Sequence, residues 1–270
     1  MNNTTTKTQF SVADRLGHWW GQQRDHRQRL ALQRRCARAA VAAAQLPASI
    51  RVAWEQQAAD DFPGLDVSEA SWLRCSLGLA QFFEACRLQA GQGPCALPSK
   101  AADSVWHVGL KVDPSGLAAW QQRHFGRVVE HTEAQALGAS LHECLTRTWA
   151  GACRSEGLSL LGPQLPLVFA LDSLIGLPTG WAYRHQGGAL VHRRIDGFGK
   201  PSGAVVRHAV ASAASLVTLG LLSDAELQAL RRRQSDGSGS SSSDSSSCDA
   251  ASDGGGCDAG SSCGSGCGGD

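Results

Sequence analysis

The chain has 270 residues, with 25 Lys and Arg against 24 Asp and Glu and a formal net charge of +1. That near-neutral total hides two oppositely charged parts: residues 235–270 hold 13 Ser, 10 Gly, 6 Asp, 4 Cys and 3 Ala and carry −6, which leaves +7 on residues 1–234. A segment with no aliphatic side chain larger than alanine has nothing to bury against its ordering entropy, so the tail is excluded from any core and is expected to be disordered, while residues 1–234 are enough for one sizeable domain.

Residues 11–45 are rich in Ala, Leu, Gln and Arg without proline, which predicts a helix ended by Pro47, and residues 50–60 make a second. Asp66, Val67, Ser68 and Glu69 have capping-box spacing. Behind them Trp72, Leu73, Leu77, Leu79, Ala80, Phe83 and Cys86 favour one side of a helix running to about residue 89. Gly91, Gly93, Pro94 and Pro98 mark a loop, and a short helix is expected over residues 99–110. Asp113 followed by Pro114 offers an N-cap with proline at the first helical position, and Gly126 a stop.

Residues 133–155 read as the next long helix, capped by Gly157. Pro163 and Pro166 introduce an apolar segment over 167–174 that suits a short helix. Strand character is confined to residues 180–195, as a hairpin turning at Gly187 and Gly188. Residues 203–222 read as an apolar helix, and Ser223, Asp224, Ala225 and Glu226 are a second capping box, opening a helix that ends in Arg231, Arg232 and Arg233. The expected fold is mainly α: a single helical domain over 1–234 with a disordered Ser/Gly/Cys tail over 235–270.

Residues 1–9 lack the apolar core of a signal peptide. The uncharged apolar run 209–222 has 14 residues, short of the roughly 20 that span a bilayer. The expectation is a cytoplasmic protein without membrane attachment, with Cys36, Cys75, Cys86, Cys95, Cys144 and Cys153 as buried free thiols.

The most distinctive segment is Pro98, Ser99, Lys100 and then Asp103, Trp106 and His107. On a helix, Asp103 and His107 share a face and Lys100 extends it by a turn. A carboxylate one turn before an imidazole can fix its tautomer, the help that metal and acid–base sites need. The structural alternative is a buried Asp103–His107 hydrogen-bonded pair beside a core Trp106. On that alternative, which is the expectation here, His107→Ala lowers stability and leaves metal content unchanged.

With Trp120, Phe125, Gly126, Arg127 and His131 this segment resembles the glycine-rich domain-containing protein family, whose plant members carry such a helical module ahead of glycine-rich segments. The similarity covers about residues 46–185 and includes Trp149, Cys153, the 165–172 segment, Gly180 and Tyr183. Leu117 stands where that family commonly has Tyr, a Cys is common near Gln121, and plant members often have a second His where Gly109 stands. The resemblance implies an α-helical module and brings no defined activity.

Other chemistry is thinly represented. His142 and Cys144 lie about 200° apart on a helix, and His142 and Cys153 about 16 Å apart along it, so neither pair chelates. His107 and His131 are the pair that tertiary folding can join, for zinc or iron. The 197–203 segment lacks the glycine and the Ser/Thr of a phosphate loop and reads as a solvated turn stiffened by Pro201. Arg24, Arg27, Arg29, Arg34, Arg35 and Arg38, and Arg193, Arg194 and Lys200, could meet nucleic acid phosphates without sequence preference, though without a stacking platform. Cys248, Cys257, Cys263 and Cys267 could wrap a soft metal, or belong to a solubilising tail whose composition is that of azole-forming peptides.

The sequence therefore favours a non-catalytic interaction or scaffold protein with an unknown protein partner and no required cofactor. The first alternative is a metal-dependent protein or enzyme centred on Asp103, His107 and His131, with Lys100 and Trp106 in its network. The second is a nonspecific nucleic-acid-binding module.

Overall fold

The computed structural model describes residues 12–132, 138–186, 189–208 and 212–236. Two units divide the chain, Met1–Arg231 and Arg232–Asp270; of the second, only residues 232–236 are described. The first unit is built on α4 (Glu69–Leu88), whose residues from Cys75 to Cys86 are all buried. Around α4 pack α2 (Ala37–Ala43), α5 (Lys100–Val112), α6 (Pro114–Phe125), α7 (Leu141–Glu156) and α8 (Leu167–Ile175), while α3 (Ala48–Asp61) packs on α5 and α1 (Val12–Arg35) leads into α2.

Small residues let these helices approach. A Cβ on Gly151 of α7 would sit 2.7 Å from the Ala85 carbonyl oxygen of α4, and one on Gly78 of α4 would sit 2.6 Å from Leu171 of α8. The first contact is with backbone, so Gly151 sets how near α7 comes to α4, whereas at Gly78 the neighbour is the end of the Leu171 side chain. The interior is aromatic: Trp54, Phe82, Phe83, Trp106, Trp120, Phe125, Trp149 and Phe169 are all nearly or fully buried in one core.

The caps follow the chemistry expected of them, with one shift. Asp113 accepts from the Gly116 N–H at 2.8 Å with Pro114 at the first helical position, and Gly126 and Gly157 close α6 and α7 in the left-handed conformation. Ser223 and Glu226 satisfy each other's backbone N–H groups at the start of α10 (Asp224–Asp236). At α4, however, the N-cap is Ser68 rather than Asp66, and the Asp66 carboxylate accepts from the hydroxyls of Ser68 (2.6 Å) and Ser71 (2.8 Å). The helix expected over 133–155 begins only at Leu141, capped by Ser140; residues 133–137 lie outside the described residues.

The single all-helical domain expected from the sequence is corrected by a sheet. β1 (Trp181–Gln186), β2 (Ala189–Ile195) and β3 (Pro201–His208) form a three-stranded antiparallel sheet in the order β1-β2-β3, and helices follow it. The β1–β2 hairpin was legible, with Gln186 opposite Ala189 across the two undescribed glycines. The third strand was not, and the helix expected over 203–222 is replaced by β3 and the six-residue α9 (Ala213–Thr218). Val206, Arg207 and His208 pair with His192, Val191 and Leu190, and a register shift falls between His192 and Arg194. Ladder bonds to β2 and the β-branched Val205 and Val206 outweigh the helical preference of the alanines around them.

No helix among the described residues is long and apolar enough to cross a membrane. α10 runs to Asp236, past the domain boundary expected at 234. The tail from 237 on, with Cys248, Cys257, Cys263 and Cys267, lies outside the described residues.

One buried carboxylate ties three elements together. Asp172 on α8 accepts from the Ser99 hydroxyl (2.6 Å), the N–H groups of Lys100 (3.2 Å) and Ala101 (3.1 Å) at the start of α5, and the N–H of Trp181 (2.9 Å) at the start of β1. Burial raises its pKa above the ordinary carboxylate value, and the four donors pull it back. Asp172→Ala would orphan all four donors. At about 1–3 kcal/mol for each buried group left unsatisfied, the variant should lose several kcal/mol in urea melts. A loss below about 1 kcal/mol would show that the joint is dispensable.

A carboxylate and two imidazoles at the mouth of a cleft

The site begins with the N-terminus of α5. Ser99 caps the helix by accepting the Ala102 N–H at 3.1 Å, and its hydroxyl is held by Asp172. Asp103 then falls in the first turn and His107 one turn later, on the same face. Trp106, between them in sequence, turns inward, where its ring meets Phe82 at 5.6 Å and Phe83 at 4.9 Å.

His131 comes from the loop after α6. Gly126 ends that helix at φ 74°, and the buried side chain of Gln121 accepts the Val129 N–H at 2.8 Å, which fixes the loop two residues before His131. Val129 also packs on the core. The His131 imidazole lies edge-on to Trp106 (4.7 Å between ring centroids) and to His107 (4.7 Å). Its Nε2 is 3.0 Å from Asp103 Oδ1, whereas His107 Nε2 stands 3.5 Å from Asp103 Oδ2, too far for a strong hydrogen bond. One ligand atom from each of Asp103, His107 and His131 lies within 4.8 Å of the others.

The structure thus places the expected residues as follows. Asp103, His107 and His131 come together, and Trp106 is buried beside them at 4% exposure. The Asp103–His107 pair is not the buried hydrogen-bonded unit expected: the side chains are 28% and 40% exposed. The helix presents this face at the protein surface, where Phe62 at the end of α3 also meets His107 edge-on. Lys100 does not join the cluster either; its ammonium sits over the Trp181 ring, 5.3 Å from the centroid.

Asp103 and His131 also line a cleft of about 290 Å³, together with Lys100, Cys95, Trp106 and Trp181. The cleft therefore has two indole walls, a cation at one side and two of the three clustered groups. The buried indole N–H of Trp106 has no hydrogen-bond partner, an exception to the rule that buried donors are satisfied.

A second histidine cluster went unread in the sequence, because its members are far apart along the chain. His142 at the start of α7 contacts His208 at the end of β3, Nδ1 to Nδ1 at 2.7 Å, and the Nε2 of His208 meets Nδ1 of His192 on β2 at 2.7 Å. Three imidazoles in a row can be satisfied with one proton each, donated in either direction along the row. Because His208 spends both nitrogens on its neighbours, this row is a hydrogen-bonded chain rather than a chelate. Trp181 and Tyr183 pack against His192, and Tyr183 also stacks on His208. His142 and Cys144 diverge as expected, with Cys144 fully buried.

The remaining candidates resolve simply. Residues 196–200 form the β2–β3 turn, in which the Asp196 carboxylate accepts from the N–H groups of Phe198 and Lys200, both at 2.9 Å. Of the turn expected over 197–203, residues 197–200 form it, held by Asp196, while Pro201, Ser202 and Gly203 open β3 instead. Arg35 pairs with Glu156 and Arg38 with Glu84, so part of the arginine cluster is used within the fold.

A mainly helical domain closed by a small antiparallel sheet, with a carboxylate and two imidazoles at a cleft mouth, is the type of protein this chain defines. The UCP032817-like family model matches residues 37–200, from α2 through the turn after β2, and the chain belongs to that family. The matched stretch holds Asp103, His107, His131, Gln121 and Asp172. No curated protein and no solved structure matches the chain.

Burial, with His192 and His142 nearby, lowers the pKa of His208 from 6.5 to about 4. The folded His208 thus resists a proton that the unfolded chain accepts, so its contribution to stability is complete above about pH 6.5 and is lost as pH falls toward 4. Thermal melts should show stability declining across that window, and His208→Gln should flatten the decline. An equal pH dependence in the variant would contradict the assignment.

Proposed function

We propose that the domain is a metal-dependent protein whose ion would be held by Asp103, His107 and His131, beside the 290 Å³ cleft that Asp103 and His131 line. The observation that carries this reading is the convergence of one carboxylate and two imidazoles from a helix and a distant loop. Such a set suits a borderline divalent ion, zinc or iron(II), and three protein ligands leave room for water or substrate. Bonds of about 2.0–2.2 Å would need ligand atoms about 3–3.5 Å apart, a modest closing of the present cluster by side-chain rotation.

The setting supports the same reading. The three groups are half-exposed, so an ion can reach them and their charge costs little desolvation. The Trp106 ring walls the cleft beside them, which limits how far His131 can turn away. Gln121 acts as a positioning residue, because it holds the loop that presents His131.

A second reading, a non-catalytic interaction protein, is favoured by Trp19 and Trp20 on α1, which are 48% and 61% exposed. An exposed indole pair on an arginine-rich helix is the composition of a protein-contact surface. We further propose kinship with the glycine-rich domain-containing proteins, since that resemblance spans about residues 46–185, inside the family match.

The test uses the full-length protein, stripped with chelator and reloaded with zinc or, without oxygen, with iron(II). One ion per chain is expected for the wild type and for a variant with the four tail cysteines changed to serine. Asp103→Ala, His107→Ala and His131→Ala should each lose it, and Gln121→Leu should bind more weakly. Because His107 is so exposed, the metal-free His107→Ala protein should match the metal-free wild type in denaturant melts to within about 1 kcal/mol. Unchanged metal content in the three ligand variants, or metal lost with the tail cysteines alone, would overturn the reading.

A further inference from the structure

A second cleft, of about 320 Å³, opens between the last turn of α4 and the loops on either side of the site, lined by Cys86, Cys95, Arg127, Val129 and Thr132. Cys86 lies near the end of α4 and Cys95 in the loop that follows it, and both line this one cleft. The backbone at Cys95 is fixed from the next residue: the Ala96 N–H donates to Thr148 Oγ1 at 3.1 Å, and that hydroxyl donates to the Ala96 carbonyl at 2.8 Å. Gly93, at φ 117°, leaves room for the Arg147 guanidinium, whose carbon would stand 3.1 Å from a Cβ there.

We propose that Cys86 and Cys95 are a redox-active thiol pair that peroxides oxidise to a disulfide, Cys95 attacking and Cys86 resolving. The two cysteines share one solvent-open cleft, and Cys95 is the one described cysteine that is not buried. The two thiols also differ in the required direction. The hydrogen bond from Cys86, followed by Thr148 and the charges of Arg147 and Arg127, brings Cys95 below the usual thiol range, against the effect of burial. Burial pushes Cys86 up, as it does Cys36, Cys75, Cys144 and Cys153. A low-pKa, accessible thiol beside a resolving thiol is the arrangement of peroxide-sensing cysteines.

The chemistry balances with hydrogen peroxide as the oxidant. The Cys95 thiolate attacks one peroxide oxygen, the O–O bond breaks, and the departing hydroxide takes a proton to become water, leaving Cys95 as a sulfenic acid. The Cys86 sulfur then attacks the Cys95 sulfur, the S–O bond breaks, and the hydroxide that leaves takes up the Cys86 proton. Two thiols and one peroxide give one disulfide and two waters. A small-molecule dithiol reverses the change.

Trypsin places the two cysteines in separate peptides, Cys86 in 75–87 with Cys75, and Cys95 in 88–100. Full-length reduced protein, treated with hydrogen peroxide and then alkylated, should yield a cross-linked 75–87/88–100 species with the bond at Cys86. Cys75, fully buried in the same peptide, should remain at least tenfold less oxidised. In Cys86→Ser, dimedone should trap a sulfenic acid on the 88–100 peptide. Cys95→Ser, at a half-buried position, guards against a misfolded first variant and should leave Cys86 reduced under the same treatment. Disulfides joining Cys95 to a tail cysteine, oxidation of Cys86 in Cys95→Ser, or a pair as inert as Cys75 would each overturn the proposal.

Discussion

The carboxylate of Asp172 is the joint on which the site depends. It sits at the N-terminus of α5, where free N–H groups and the positive end of the helix dipole favour a negative charge. From there it fixes both the turn that carries Lys100 and Asp103 and the first residue of β1, Trp181, which walls the cleft. Burial of a charge is costly, and it is tolerated here because every hydrogen bond it makes is to a donor that would otherwise be stranded. The same oxygen atoms thus place two walls of the cleft.

The other half of the site rests on a neutral side chain. Gln121 reaches from α6 to the backbone of the following loop, so His131 is delivered by a segment held at its middle rather than by regular secondary structure. The ring stacks edge-on between Trp106 and His107, which limits its rotation. An i, i+4 pair on a helix supplies two groups at fixed spacing, and a tethered loop supplies the third. Rigid and adjustable parts are thereby combined in one cluster.

How much of this the sequence revealed depended on the range of the interaction. Ser223 with Glu226, Asp113 with Pro114, and the glycines at 126 and 157 act within four residues, and their roles were readable. So was the helical spacing of Asp103 and His107. Their exposure was not, because the side on which α5 meets α3 and α4 is decided by tertiary packing; Trp106 took the inward face and left its neighbours outside. β3 was misread because alanines in 203–222 favour a helix locally, while the partner that makes Val205 and Val206 a strand is β2. His142, His192 and His208 carried no signal at all, being separated by 66 and 16 residues in their contacts. Gln121 looked like a mere departure from a family pattern, and its hydrogen bond to Val129 could not be seen from composition.

The Asp172 joint also has a kinetic side. Its bond to Trp181 closes 9 residues, while those to Ser99, Lys100 and Ala101 close 73, 72 and 71. Closing a long loop costs more chain entropy than closing a short one, and non-local contacts slow folding. α8 and the hairpin behind it can therefore assemble from near neighbours, with the carboxylate still hydrated and capping β1 alone. Docking onto α5 is then the step in which that carboxylate gives up its water and the cleft acquires its second wall, so the site is completed by a contact that must close a loop of some seventy residues.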